Sequence, residues 1–127
     1  MLTLPGREPV SPRLLERMRD LIIHRGPDDS GSYISPDGRV GLANRRLSII
    51  DLSVAGRQPL SNEDGTIWIA YNGETYNFAQ LRTDLQARGH NFRSKTDTEV
   101  VVHLYEQYGV ECVHHMRGMF ALAIWDE

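Results

Sequence analysis

A strand that leads directly into a helix is the feature that most restricts the fold of this chain. Residues 66–71, Thr-Ile-Trp-Ile-Ala-Tyr, have the β-branched and aromatic composition of a strand. The Asn72-Gly73 pair that follows would by itself favour a hairpin turn. After Asn77, however, the chain continues into a helix-forming segment and not into a returning strand. The sequence therefore predicts a strand–turn–helix junction at Asn72-Gly73-Glu74, in a domain of mixed α/β or α+β class.

Capping residues define two helices in the second half of the chain. One helix follows Asn77, with Gln80 in position for a capping box and Gly89 as its stop. The next helix begins at Thr96, where Glu99 again lies three residues further on. Because these helices alternate with strand-like segments, we expect helices layered on a sheet.

Turn-forming residues organise the first half of the chain in a similar way. Ser11 and Pro12 start a helix. Its apolar residues share one face: Leu14, Leu15, Met18, Leu21 and Ile22. Short strands are predicted at residues 31–34 and 40–44, joined by a Pro-Asp-Gly turn, and residues 47–50 are predicted to form a further extended piece.

The composition is that of one ordinary globular domain, and it excludes two classes of partner. Hydrophobic residues make up 40% and charged residues 24% of the 127 residues. The net charge of −3 provides no basic footprint for nucleic acid. The longest apolar run, residues 119–125, is too short to cross a bilayer and predicts a strand covered on both faces. The single cysteine, Cys112, forms no intrachain disulfide, so we expect a cytoplasmic protein.

Three charged residues have the chemistry that recognises an amino acid. The forked guanidinium of Arg46 would suit an α-carboxylate, and the carboxylates of Glu74 and Asp97 would suit an α-ammonium. The side-chain amide of Asn72 and free backbone N–H groups at the junction would suit an oxyanion hole. Simpler interpretations stay open, since Arg46 also fits a solvated surface cation and Asp97 lies in a good capping segment.

Several ordered motifs resemble the N-terminal amidotransferase domain of glutamine-dependent asparagine synthetases. They are residues 24–29, 46–51, 58–59, 61–62, 71–74, 76–77, 89–90, 97–99, 118–121 and 125–127. The His-Arg-Gly-Pro-Asp opening and the Gly-Met-Phe-Ala ending resemble that branch of the class II amidotransferases in particular. The resemblance implies that residues 1–127 are a partial glutamine amidotransferase type-2 domain. It also implies an α+β fold of the N-terminal-nucleophile hydrolase type, a four-layer sandwich of two antiparallel sheets between helices, here incomplete.

The resemblance also assigns roles to individual residues. Arg46, with main-chain groups of the four residues after it, would bind the α-carboxylate of glutamine. Glu74 and Asp97 would receive the α-ammonium, while the Asn72 amide and the Gly73 N–H would form the oxyanion hole. The implied substrate-binding set is Arg46, Leu47, Ser48, Ile49, Ile50, Asn72, Gly73, Glu74 and Asp97.

The nucleophile of that family is missing from the sequence. In the family an N-terminal cysteine attacks the glutamine amide, with its own α-amine as base, and water then releases glutamate from the thioester. This chain begins Met1-Leu2-Thr3, and Cys112 has the context of a buried structural thiol. We therefore expect a fragment that is inactive by itself. In the parent protein a separate synthetase domain would use ATP and Mg to amidate aspartate with the ammonia released.

Other interpretations predict different partners. Some relatives, the β-lactam synthetases, keep this domain as a non-catalytic scaffold. The joint presence of pocket residues nevertheless favours an enzyme: Arg46, Asn72, Gly73, Glu74 and Asp97. No metal site is predicted, because no histidine pair has His-Glu-x-x-His spacing and the adjacent His114 and His115 cannot share a helix face. The expected partners are glutamine and the synthetase domain, with no cofactor in this domain, no nucleic acid and no membrane; a homodimer stays open.

Overall fold

The computed structural model describes residues 1–47 and 54–127. The regular elements in chain order are α1 (Pro12–Asp20), β1 (Asp29–Ile34), β2 (Gly41–Arg46), β3 (Leu60–Ser61), β4 (Ile67–Thr75), α2 (Phe78–Ala87), α3 (Asp97–Tyr108) and β5 (Gly118–Asp126). Short 3₁₀ segments lie at Ile23–Arg25, Val54–Gly56 and Gly109–His115. None of the helices within these two ranges combines the length and the apolar character needed to cross a membrane. Of the extended piece predicted at residues 47–50, residues 48–50 lie outside the described residues.

The first sheet is the hairpin of β1 and β2, which confirms the predicted Pro-Asp-Gly turn. The strands pair antiparallel from Asp29 opposite Arg46 to Ile34 opposite Gly41. In the connection, the Ser35 hydroxyl donates to the Asp37 carboxylate at 2.6 Å. Helix α1 packs on this hairpin. Arg46 therefore lies at the end of a strand of the first sheet, next to the element that packs against that sheet.

The second sheet has the order β3-β4-β5, with antiparallel pairing throughout. Strand β4 pairs with β5 along its whole length, and residues 72–74 are part of that ladder. The strand-to-helix junction is confirmed, but its turn lies at Tyr76-Asn77 and not at Asn72-Gly73. Pairing with β5, which the local sequence does not reveal, keeps this Asn-Gly pair extended.

The two sheets face each other between helices, which confirms the predicted α+β class with two antiparallel sheets. Across the sheet interface, the ring of Tyr33 stacks on that of Trp68 at a centroid distance of 4.0 Å. The Asn44 side-chain amide also donates to the Tyr71 carbonyl at 3.3 Å. On its opposite face the second sheet packs against α3, which packs in turn against α2. The core lies there: Leu60, Ile67, Ile69, Tyr71, Leu85, Val100, Val101, Val102, Leu104, Cys112 and Met116.

Strand β5 corrects the prediction of a strand covered on both faces. Phe120, Leu122 and Ile124 pack against the core, whereas Met119 on the alternate face is 74% exposed. Within the described part of the chain, β5 is the edge of its sheet and no layer covers its outer face. Its uniform apolar composition concealed this alternation.

All three predicted helix starts are confirmed, and two of them have the predicted side-chain cap. The Ser11 hydroxyl accepts from the Leu14 N–H at 3.3 Å, and the Thr96 hydroxyl accepts from the Glu99 N–H at 3.3 Å. The capping box predicted after Asn77 is wrong. The Asn77 side chain instead binds the backbone of the segment before β5, donating to the His115 carbonyl and accepting from the Arg117 N–H. A tertiary contact therefore replaces the local cap.

Candidate functional site

A cavity of about 300 Å³ opens where β2, β4 and the start of α3 meet. It is lined by Arg25, Asn44, Arg45, Arg46, Leu47, Gln58, Tyr71, Asn72, Gly73, Glu74, Thr96, Asp97 and Thr98. Arg46, Leu47, Asn72, Gly73, Glu74 and Asp97, all predicted from the sequence, thus line one cavity. The other predicted residues, Ser48, Ile49 and Ile50, lie outside the described residues. The fold brings together segments that are as far apart in the sequence as Arg25 and Thr98.

Arg46, at the end of β2, owes its position to a glycine. A Cβ atom at Gly56 would lie 2.8 Å from Nη2 and 2.9 Å from Nη1 of Arg46. The same Cβ would lie 2.9 Å from the methyl carbon of Thr96. A side chain at position 56 would therefore push the guanidinium away. The absence of one leaves Arg46 beside the residue that caps α3.

Asp97 is the first residue of α3 and is only 6% exposed. Its Oδ2 atom accepts from the Thr75 N–H at 2.9 Å, which ties the start of α3 to the end of β4. The helix N-terminus favours a negative charge at this position. The capping interpretation and the cavity interpretation therefore hold together: Thr96 caps the helix while Asp97 lines the cavity.

The residues of the Thr-Asp-Thr-Glu motif have two different roles. Thr96, Asp97 and Thr98 line the cavity, whereas Glu99 faces the loop before the helix. The Glu99 carboxylate accepts from the N–H groups of Arg93 and Ser94, each at 2.7 Å. Glu99 is 2% exposed and holds the loop from which the cavity residues of α3 emerge.

The pKa of Tyr71 reflects the negative charges on one side of the cavity. Its hydroxyl lies 2.8 Å from the Thr75 hydroxyl and its side chain is buried. Burial, together with the negative charges of Asp97 and Glu74, raises the pKa of Tyr71 to about 12, against the opposing hydrogen bond from Thr75. Both carboxylates thus act on the same phenol. A positive ligand group placed there would interact with both of them.

Asn72, Gly73 and Glu74 are exposed at the cavity although they belong to a paired strand. Gly73 has φ +153°, and a Cβ atom there would overlap the carbonyl oxygen of Met119 on β5. Only glycine allows this close approach of the two strands. Close packing of the β4 and β5 backbones therefore requires glycine at position 73, whether or not a ligand also contacts it.

The sequence assigned no site role to several polar residues of the cavity, among them Asn44 and Gln58. Asn44 precedes Arg46 by two residues on β2, so the two-residue period of a strand could have placed it on the same face. Gln58 lies in a loop, where no strand period applies, and the sequence marked it only as part of the motif at residues 58–59. Its Oε1 accepts from the Tyr71 N–H at 2.7 Å, and its Nε2 donates to the Thr98 hydroxyl at 3.2 Å. This buried amide links β4 to α3 beneath the cavity.

The thiol of Cys112 lies away from the cavity, as expected from the sequence. Cys112 is 1% exposed in the 3₁₀ segment Gly109–His115 and does not line the cavity. Burial raises the pKa of this thiol, which disfavours the nucleophilic thiolate. Cys112 is therefore a packing residue. Among the described residues, the cavity carries charge recognition and hydrogen-bond donors without a thiol.

Comparison with known proteins identifies relatives over nearly the whole chain. A family model described as a glutamine amidotransferase domain matches residues 4–127. The chain is 47% identical over 114 residues to glutamine-hydrolyzing asparagine synthetase 1 of Bacillus subtilis, covering 90% of this chain and 18% of that protein. It is 46% identical over 126 residues to synthetase 2 of the same organism, covering 99% of this chain and 16% of that protein. The chain thus spans less than a fifth of the length of these relatives.

A solved structure gives the same result for the fold. Glutamine phosphoribosylpyrophosphate amidotransferase from B. subtilis superposes with a TM-score of 0.59 at 26% identity, covering 70% of this chain and 21% of that chain. This similarity confirms the fold predicted from the sequence, an incomplete α+β domain of the N-terminal-nucleophile hydrolase type.

Proposed function

Because this chain belongs to the glutamine amidotransferase domain family, we propose that its cavity is the glutamine site of a glutamine-hydrolysing asparagine synthetase. The observation that carries the proposal is the joint position of Arg46, Glu74 and Asp97 around one cavity of about 300 Å³. This volume is at the lower end of ordinary small-molecule sites and suits a single amino acid. Arg46 offers a cation for the α-carboxylate of a zwitterion, and Glu74 and Asp97 offer anions for its α-ammonium.

In the proposed complex, each end of glutamine has its own partners. The Arg46 guanidinium binds the α-carboxylate through paired hydrogen bonds, and Leu47 to Ile50 contribute main-chain groups. Glu74 and Asp97 bind the α-ammonium, while Thr75 holds Asp97 in place through its N–H. The side-chain amide of glutamine then points toward Asn72 and Gly73. Their N–H groups stabilise the oxyanion that forms when the amide carbon is attacked.

Hydrolysis itself needs a nucleophile that this sequence does not bring to the cavity. The sole cysteine of the 127 residues is Cys112, which is buried elsewhere. We therefore propose that the chain as given binds glutamine without turning it over. In the whole protein, ammonia from glutamine would serve the ATP- and Mg-dependent amidation of aspartate in a synthetase domain. We place that protein in the cytoplasm and leave a homodimer open.

Calorimetric titration with L-glutamine tests the site. We expect saturable binding to the native chain and an affinity at least about tenfold lower for Arg46→Ala, because a charge-assisted pair is worth about 1.5–3 kcal/mol. Gly56→Ala is the sharper variant. It leaves Arg46 in the sequence but displaces its guanidinium, so glutamine affinity should fall; the contact of the added Cβ atom with the Thr96 methyl should also lower the free energy of unfolding.

An exposed arginine on the β1–β2 hairpin supplies the matched control. Arg39→Ala removes the same charge outside the cavity and should bind glutamine like the native chain. Equal binding by the native chain and Arg46→Ala would contradict the proposed site. Ammonia release from glutamine above a protein-free blank would contradict the proposed lack of turnover without affecting the binding proposal.

A further inference from the structure

Two histidines and a glutamate converge on the side of α3 that lies beyond the cavity. The Glu106 Oε2 atom is 2.7 Å from Nδ1 of His103 and 3.3 Å from Nδ1 of His90. The three ligand-type atoms all lie within 4.8 Å of one another. None of the three residues lines the glutamine cavity. The cluster is therefore separate from the proposed function.

The fold explains how these residues meet although their spacing gave no metal motif. His103 and Glu106 are three residues apart on α3, so their side chains lie on one face of the helix. His90 comes from the segment after α2, which packs against α3. The ring of Phe92 meets the His103 ring edge-on at a centroid distance of 4.5 Å and fixes its orientation. A metal site whose ligands come from two packed segments has no fixed spacing between those ligands in the sequence.

The distances are close to those of a metal site. In a tetrahedral Zn²⁺ site with bonds of about 2.0–2.1 Å, neighbouring ligand atoms are about 3.3 Å apart. The separation of His90 Nδ1 and Glu106 Oε2, 3.3 Å, has this value. Bringing every pair to that distance requires shifts of about 1 Å, which fall within side-chain rotation.

Two of these three groups also have a hydrogen-bond partner on their far side, as metal ligands usually have. His90 Nε2 lies 3.3 Å from Gln107 Oε1, and in the tautomer with the proton on Nε2 this contact is a hydrogen bond that leaves the Nδ1 lone pair for a metal. Asn62 Nδ2 donates to Glu106 Oε1 at 2.9 Å and leaves Oε2 free to face the histidines. His103 Nε2 lies 4.0 Å from Glu63 Oε1, beyond hydrogen-bond distance, so Glu63 would have to move closer to accept from the Nε2–H when Nδ1 binds a metal.

We propose that His90, His103 and Glu106 form a binding site for Zn²⁺ or a similar divalent transition-metal ion. Two imidazole nitrogens and one carboxylate oxygen are ligands that these ions prefer over Mg²⁺ or Ca²⁺. The side chains of His90 and Glu106 are 17% and 21% exposed, so an ion can enter from solvent, while His103 at 1% forms the closed side. Three protein ligands leave a fourth position for water.

Zinc titration of the tag-free, EDTA-treated chain by calorimetry tests the site. We expect one Zn²⁺ per chain with micromolar or tighter affinity, and a rise in the melting temperature on Zn²⁺ addition. His90→Ala should weaken binding by at least about tenfold and remove the thermal shift, because it deletes a ligand from the open side of the site. Co²⁺ gives a second readout, since its visible absorption reports a low-coordinate nitrogen and oxygen environment.

Two further variants distinguish this site from adventitious binding to surface histidines. His114→Ala is the matched control, because His114 is 75% exposed and lies 3.3 Å from Glu111 in a similar His–Glu pair. It should bind Zn²⁺ like the native chain. Gln107→Ala keeps all three ligands but frees the His90 ring, and it should weaken binding by up to about tenfold. Zinc binding that is equally strong in His90→Ala and the native chain overturns the proposal, as does millimolar or weaker binding by the native chain.

Discussion

The two halves of this chain use their apolar residues in different ways. The first half, residues 1–46, folds as α1 on the β1–β2 hairpin, and of the face predicted for α1 only Leu15 is buried. Leu14, Met18, Leu21 and Ile22 of that face are 46–78% exposed. The second half, residues 54–127, contains the cluster in which Val100, Val101 and Val102 are fully buried.

This difference indicates where stability and recognition reside. Burial of apolar area is the main favourable term in folding, so the second half provides most of the stability. The cavity lies between the halves, with Arg46 from the first and Glu74 and Asp97 from the second. Recognition of both ends of one ligand therefore depends on how firmly a weakly packed hairpin rests on a well-packed core.

Leucine truncations in the two halves test this comparison with the largest expected effect. Leu104, which is 1% exposed on α3, should lose about 2–5 kcal/mol of unfolding free energy when replaced by alanine. Leu21→Ala, at a position that is 78% exposed, should change the stability by less than about 0.5 kcal/mol. Urea unfolding followed by circular dichroism measures both. Equal losses would show that α1 is as well packed as α3 and would end the comparison.

A pair of glycine substitutions tests the close contact of β4 with β5 at the cavity. Gly73→Ala places a Cβ atom against the Met119 carbonyl, whereas Gly65→Ala, also at positive φ, meets open space. Gly65 has φ +76° and Gly73 has φ +153°, so the difference between the variants combines the steric overlap at position 73 with unequal backbone strain. We expect Gly73→Ala to be the less stable by about 1–3 kcal/mol in urea unfolding. Similar stabilities would mean that β5 yields easily and that the edge of the second sheet is soft.

The smallest expected effect is a pH dependence that arises between the halves. The hydrogen bond from Arg57 holds the pKa of Asp29 on β1 below its ordinary value of 3.8. Because this pKa is depressed in the folded chain, the contribution is complete above pH 3.8 and is lost as the pH falls below it. Arg57→Ala should therefore reduce the loss of stability between pH 5 and pH 3, by little, since the Arg57 side chain is 58% exposed.

The adjacent Arg19 and Asp20 pair provides the control for that experiment. It lies within the first half at 2.9 Å, and neighbours in sequence also meet in the unfolded chain. Arg19→Ala should leave the acid limb of the stability curve almost unchanged. A larger effect from Arg19→Ala than from Arg57→Ala would contradict the assignment of this pH dependence to the contact between the halves.

Features with a local cause could be predicted from the sequence. Ser11 and Thr96 cap their helices because the bond needed is within three residues, and the Pro-Asp-Gly turn closes its hairpin for the same reason. The residues around the cavity were found through motifs and charge, of which Arg46, Glu74 and Asp97 are the clearest examples.

Features with a distant cause could not be predicted in this way. Asn72-Gly73 stays extended because β5 pairs with it from nearly fifty residues away. Asn77 gives up its cap for the backbone near Arg117. Gln58 and His90 act through partners on α3, to which no sequence period connects them. In each case the local sequence pattern favoured one conformation, and a tertiary contact stabilised a different one.

The burial of residues 97–104 of α3 has a kinetic consequence for the cavity at the start of this helix. Amide protons in such a helix exchange with solvent only through large opening events, whereas those of a thinly covered hairpin exchange through local ones. The carboxylate of Asp97 therefore keeps its place for as long as the whole second half stays folded. Arg46, at the end of β2, sits on an element that opens more often. A ligand would therefore meet Asp97 in a constant position and Arg46 in a position that depends on local opening of β2. Hydrogen exchange at β2 would measure how often that opening occurs.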